Sequence, residues 1–183
     1  MKIQKVALLG AGAVGAYFIR GLMPKLGEDF CVVAKGERKE RLEKDGIYIN
    51  EALYYPSVKT PEEAGTPDLI LVATKYDGLK DSLEDIRRMT GEHTIILSLL
   101  NGVNSEEKIG NVVGMQHLVY SVMRIASVRT GNHITFPPEK TAGMYFGEPG
   151  ISAPSERILA IQELLEGTGI RCRYRADILR NMW

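Results

Sequence analysis

Two hydrophobic periods alternate along this chain. The runs KVALL at 5–9, FCVVA at 30–34, DLILVA at 68–73 and TIILSL at 94–99 are almost wholly apolar, the pattern of parallel strands buried on both faces. Between them lie segments of helical period. One covers 13–23 and is expected to stop at Pro24. A second, polar, covers 37–44 and ends at Gly46, and a third covers 79–88. Thr60-Pro61-Glu62-Glu63 spells a capping box with proline at the first helical position, so a short helix starts there, and another is expected near Ser105. Strand and helix in alternation predict βαβ units around a parallel sheet.

The later pattern differs. A strand is expected at 118–122, and short strands at 133–136 and 144–146 are separated by Pro137-Pro138 with no helix between them. A small hairpin at 47–55 turns at Asn50 and Glu51. An amphipathic helix spans 154–165 before Gly167, and a last strand spans 170–174. The expected fold is α/β, a Rossmann-type doubly wound and mainly parallel sheet with mixed late strands, forming one domain over 1–176. Asp177 then reads as a helix N-cap, with Ile178, Leu179, Met182 and Trp183 on one face of a helix starting at 177–183.

Composition narrows the partners. The 183 residues suffice for one domain with a substantial core. Lys plus Arg and Asp plus Glu are each 23, so the net charge is zero, and the pI is near 6.8. Nucleic acid and anionic membrane, which demand a basic excess, are thereby disfavoured as main partners. Cys31 and Cys172 each fall in an apolar run and read as buried free thiols of a reducing compartment. His93, His117 and His133 are scattered without ligand spacing, so no metal is expected. Lys2, Lys5 and the apolar run after them imitate a secretory leader. The glycines that interrupt the run are better explained by a strand, a turn and a helix, and the expected location is the cytoplasm.

Those glycines carry the first chemistry. Gly10-Ala11-Gly12-Ala13-Val14-Gly15 follows a strand and opens a helix, the context in which G-x-G-x-x-G binds a dinucleotide. The first glycine permits the tight turn, the second admits a pyrophosphate to the backbone, and the third lets the helix pack on the strand. The second strand ends in Ala34-Lys35, with Arg38 in the next turn. A carboxylate at that end would accept from a ribose 2′-OH, whereas cations pair with a 2′-phosphate. NADP is therefore favoured, against one discordant acid, Glu37. Thr74-Lys75-Tyr76 ends the third strand, where ligands of open parallel sheets gather. Asn101-Gly102 lies at the same edge after the fourth strand, and taken alone it reads as a simple turn.

Together, GAGAVG, AKGER, TKYDGL, LLNGVNSEE, the late FGEP and the final DILRNMW resemble the ketopantoate reductase (2-dehydropantoate 2-reductase) family over the whole chain. The resemblance implies NADPH-dependent reduction of 2-dehydropantoate, a 2-keto acid, to pantoate. Residues 10–15 would hold the pyrophosphate. Lys35 would take the family's basic position for the 2′-phosphate, with Arg38 as helper. Lys75 would lie near the nicotinamide half, Asn101 would touch cofactor and substrate, and Ser127 would match a cofactor-lining position. The family's principal catalytic lysine follows two residues after the tryptophan matched by Trp183, on a helix leading into a helical substrate and dimerisation domain. The resemblance therefore implies that this domain is absent here, that a homodimer would form through it, and that residues 1–183 alone lack reductase activity. Two alternatives stay open: a related two-domain NADP dehydrogenase with another substrate, and a stand-alone NADP-binding module.

Overall fold

A computed structural model describes residues 1–100 and 104–182, apart from the side chain of Asn181. Along the chain the strands and helices are β1 (Val6–Leu9), α1 (Ala13–Leu26), β2 (Phe30–Val33), α2 (Gly36–Asp45), β3 (Ile47–Ile49), β4 (Ala52–Tyr54), β5 (Ser57–Lys59), α3 (Pro61–Ala64) and β6 (Leu69–Val72). There follow α4 (Tyr76–Met89), β7 (Ile95–Ser98), α5 (Asn104–Val113), β8 (Leu118–Arg124), β9 (Val128–Thr130), β10 (His133–Thr135), β11 (Gly143–Gly147), α6 (Glu156–Leu165), β12 (Cys172–Tyr174) and α7 (Ile178–Asn181).

The four apolar runs become β1, β2, β6 and β7, buried at every position. Their side chains alternate between two cores. Val6, Leu8, Phe30, Val32, Leu69, Leu71, Ile95 and Leu97 face the core that also receives Phe18, Ile19 and Leu22 of α1 and Ile158, Ile161 and Leu164 of α6. Ala7, Leu9, Cys31, Val33, Ile70, Val72 and Ile96 face Leu79, Ile86 and Met89 of α4 and Ile109 of α5. A strand must be apolar on both faces when helices cover both, which is why no polar alternation appears in these runs. The sheet order is β12-β11-β8-β7-β6-β1-β2-β5, parallel from β5 to β8. Only the β11–β8 pairing is antiparallel, so β11 and β12, parallel to each other, run opposite to the other six strands. This is the doubly wound Rossmann-type sheet with mixed late strands. No helix among the described residues is long and apolar enough to cross a membrane.

Several elements differ from the sequence reading. Helix α1 passes through Pro24 to Leu26. Proline this close to a helix end removes only the N–H that would reach back to the Arg20 carbonyl, a loss the exposed last turn tolerates. Strand β5 was not expected, because only Val58 of its residues is buried. It joins β2 as an edge strand, where one apolar position is enough. Strand β9 is exposed at every position and leaves no hydrophobic period to read. Helix α4 begins at Tyr76, ahead of its first buried residue, Leu79. Cys31 is buried as expected, but Cys172 is only half-buried; both are free thiols. Asp177 stands at the N-cap of α7 without the side-chain capping bond its identity suggests.

The hairpin at 47–55 forms as read, with Asn50 at φ 54° in its turn. It does not stand alone, because β3 pairs in parallel with β10, and β10 pairs with β9, making a second sheet of order β4-β3-β10-β9. Asn50 ties the two hairpins together: its N–H donates to Ile134 O at 2.8 Å, and its Oδ1 accepts from Phe136 N at 3.0 Å. Phe136 meets Tyr17 of α1 edge-on at 5.4 Å, so this small sheet sits against α1. The FGEP stretch has a structural role as well. Buried Glu148 pairs with Arg157 of α6, which also donates to the Gln116 carbonyl.

Candidate functional site

Strands β2 and β5 lie on one side of β1, and β6 to β8 lie on the other. The switch in winding direction therefore falls between β1 and β6, and ligands of such sheets bind in the crevice beyond the strands' carboxyl ends at that point. The glycine loop occupies it.

Two of its glycines are demanded by the protein itself. Gly10 has φ 97°, and a Cβ there would lie 2.5 Å from the Ala73 carbonyl oxygen and 2.8 Å from Thr74 N. A Cβ on Gly15 would lie 2.0 Å from the Gly10 carbonyl oxygen. The turn is thus pressed against the end of β6, and α1 against the turn. Gly12 is different. Beyond its chain neighbours, the nearest atom to a Cβ there is Nη1 of Arg129, at 4.0 Å. Its open side is the room a ligand needs to reach backbone.

Gly12 is the N-cap of α1 and supplies no capping side chain, and the first turn holds no acid. The first N–H groups of the helix therefore lack side-chain partners and present partial positive charge. The helices after the neighbouring strands also start without a side-chain cap, although Glu37 and Asp77 stand in their first turns. Lys35 caps α2 and Lys75 caps α4, neither with a side-chain capping bond. Away from this crevice, Thr60 and Ser155 do cap α3 and α6. A lysine is a poor choice at the positive end of a helix unless an anion joins it. Thr74 Oγ1, beside Gly10, is buried with no hydrogen-bond partner among the described residues.

The expected site residues divide as follows. Gly10, Ala11, Gly12, Ala13, Val14 and Gly15 form the loop and the first turn of α1. Lys35 and Lys75 stand exposed at the same sheet edge, one at each side of β1. Lys35 is already engaged, with its Nζ 2.8 Å from Asp85 Oδ1 and 2.7 Å from Oδ2 on α4. Arg38 is exposed in the first turns of α2, and Ser127 is half-buried in the link before β9. Asn101 and Trp183 lie outside the described residues. Lys39 is no solvated lysine: it donates to the Val58 carbonyl at 3.0 Å and pairs with Glu43, fastening α2 to β5. Among the described residues no group of His, Cys, Asp and Glu comes together to hold a metal.

Two features escaped sequence reasoning. Arg129 is one, since it lies on a strand without a hydrophobic signal. The other is Glu106, fully buried at the start of α5. Ser98 Oγ donates to Ser105 Oγ at 2.8 Å, which donates to Glu106 Oε2 at 2.7 Å, while Oε1 has no partner among the described residues. Burial pushes this carboxyl above the ordinary range, and hydrogen bonds from Ser105 and from the backbone of Glu106 and Ser121 pull against it. The available signal was its place on the stripe of Ser105, Ile109 and Gly110, the buried face of α5.

Comparison with known proteins agrees with this fold. Residues 6–149 match the family model described as ketopantoate reductase PanE/ApbA. A 2-dehydropantoate 2-reductase of Mesorhizobium japonicum is 26% identical over 98% of this chain and 62% of its own length. One from Pyrococcus horikoshii is 34% identical over 61% of this chain and 37% of its own length. The crystal structure of 2-dehydropantoate 2-reductase from Geobacter metallireducens superposes with TM-score 0.83 at 26% identity, over 98% of this chain and 60% of that one. The chain thus spans about three-fifths of the length of the relatives it matches from end to end.

Proposed function

Because this chain belongs to the ketopantoate reductase PanE/ApbA family, we propose that it is the cofactor-binding part of an NADPH-dependent oxidoreductase that reduces 2-dehydropantoate to pantoate. One observation carries the reading: the helices after β1, β2 and β6 start without side-chain caps, at Gly12, Lys35 and Lys75, around a crevice into which Gly12 opens. The first N–H groups of α1 would take the pyrophosphate. Lys35, with Arg38, would take the 2′-phosphate, and Lys75 would serve the nicotinamide half. Ser127 would line the cofactor, and Asn101 would serve cofactor and substrate. When bound, the dihydronicotinamide supplies the hydride for carbonyl reduction.

On this reading residues 1–176 are the cofactor domain and 177–183 begin the helix toward a substrate and dimerisation domain. The acid that protonates the carbonyl oxygen belongs to the part of the relatives' length that this chain does not span. Calorimetric titration with NADP and NAD tests the cofactor assignment, with tighter NADP binding expected and the preference lost in Lys35→Ala combined with Arg38→Ala. NADPH oxidation with 2-dehydropantoate tests the reaction. Residues 1–183 should be inactive and a longer open frame active; equal turnover would place the acid inside this chain.

A second reading, an NAD-preferring enzyme of the same fold, is favoured by one contact. Asp85 already neutralises Lys35, and an engaged lysine discriminates less for a 2′-phosphate. The same titration decides between them.

A further inference from the structure

Arg129 lies in the small sheet, far in sequence from the glycine loop, and yet its Nη1 is the atom that faces Gly12. Its Nε donates to the Gly131 carbonyl at 3.0 Å, which turns the guanidinium and leaves both terminal nitrogens without a hydrogen-bond or ion-pair partner among the described residues. The side chain does no packing work, since β9 is exposed throughout. Its position is nevertheless held. β9 pairs with β10, whose Ile134 is fully buried, and β10 runs on to Phe136, packed on Tyr17 of α1. The arm carrying Arg129 is therefore braced on the helix whose N-terminus forms the crevice.

A planar guanidinium with free paired donors suits phosphate oxygens better than any other side chain. We propose that Arg129 is a further cofactor-binding residue, which closes over the open side of Gly12 and contacts the pyrophosphate from the face opposite α1. This rests on the dinucleotide reading above and adds to it a side-chain cation from a separate sheet. Because NAD and NADP share the pyrophosphate, Arg129 contributes affinity and no selectivity, unlike Lys35.

The test is titration of residues 1–183 with NADP, NAD and ADP, comparing the parent with Arg129→Ala and Arg129→Lys. Loss of a charge-assisted contact should weaken all three ligands about ten- to a hundredfold, leave the NADP-to-NAD ratio unchanged, and flatten the dependence of ADP binding on salt. Arg129→Lys should recover part of the loss. As Arg129 is exposed, thermal unfolding of both variants should match the parent. Should Arg129→Ala bind all three ligands like the parent, or shift only the NADP-to-NAD ratio, the assignment is wrong while the dinucleotide reading stands. A parent that binds none of them overturns both.

Discussion

Lys35 and Asp85 form a two-oxygen ion pair, at 2.8 and 2.7 Å, between the N-cap of α2 and the middle of α4. The carboxylate is mostly buried and the lysine mostly exposed, with side-chain exposures of 12% and 57%. The lysine can therefore turn toward a ligand, but only by leaving a carboxylate that keeps little water of its own. A 2′-phosphate binding at Lys35 must compete with Asp85 for it. Asp85→Asn removes the competing charge and keeps the shape. The expected outcome is tighter NADP binding, by up to about tenfold, with NAD affinity changed much less. Calorimetry with both dinucleotides checks it, and an equal gain for both would mean that Lys35 does not meet the 2′-phosphate.

The glycine loop makes a sharper prediction because its members differ in what surrounds them. Gly15→Ala puts a Cβ 2.0 Å from the Gly10 carbonyl oxygen, and Gly10→Ala combines a clash at 2.5 Å with φ 97°. Each should lower unfolding free energy by about 2 kcal/mol or more. Gly12 has φ −86° and open space on its Cβ side. Gly12→Ala should fold with nearly the parent's stability and lose dinucleotide affinity. Denaturant unfolding and titration on the three variants separate the two effects; a Gly12→Ala protein that binds normally would show that no ligand approaches that backbone.

Glu106 links pH to stability. Burial raises its pKa in the folded protein above its ordinary value near 4.5, so the folded state holds the proton more tightly than the unfolded chain. Its contribution to stability is then largest below 4.5, falls as pH rises from there, and levels off above the raised folded value. Glu106→Gln keeps an acceptor for Ser105 and cannot ionise. Relative to the parent, it should gain stability progressively as pH climbs above 4.5, read as the difference in urea midpoint at a series of pH values. A difference that does not change with pH would mean that the buried carboxyl titrates as an ordinary one.

The two thiols should separate in reactivity. Burial raises the pKa of both, and at Cys31 the charge of Lys59 opposes the shift. Cys31 is buried in the core on the α4 and α5 face of the sheet, and Cys172 is half-buried on the edge strand β12. With a disulfide reagent at pH 8, Cys172 should react first, and Cys31 only as the sheet opens. In denaturant the two should react together. Cys31 reacting first in the native protein would contradict the burial order.

Much of this protein was determined locally. Val6 to Leu9, Leu69 to Val72 and Ile95 to Leu97 are apolar throughout, and a short, wholly apolar run of this kind has few fates other than a parallel strand under helices on both faces. Thr60 and Glu63 close their capping box within four residues of chain, at 2.8 and 3.3 Å, with no help from elsewhere. Gly10, Gly12 and Gly15 declared a turn and a helix start for the same reason. What the tertiary structure alone decided concerns side chains whose partners are distant in sequence. Lys35 finds Asp85 fifty residues on, Asn50 finds Phe136, and Arg129 meets Gly12 because β10 chose β3 as its neighbour. Short edge strands such as β5, with Val58 alone buried, and β9, exposed throughout, leave almost no hydrophobic trace, because backbone pairing more than burial of their side chains holds them in place.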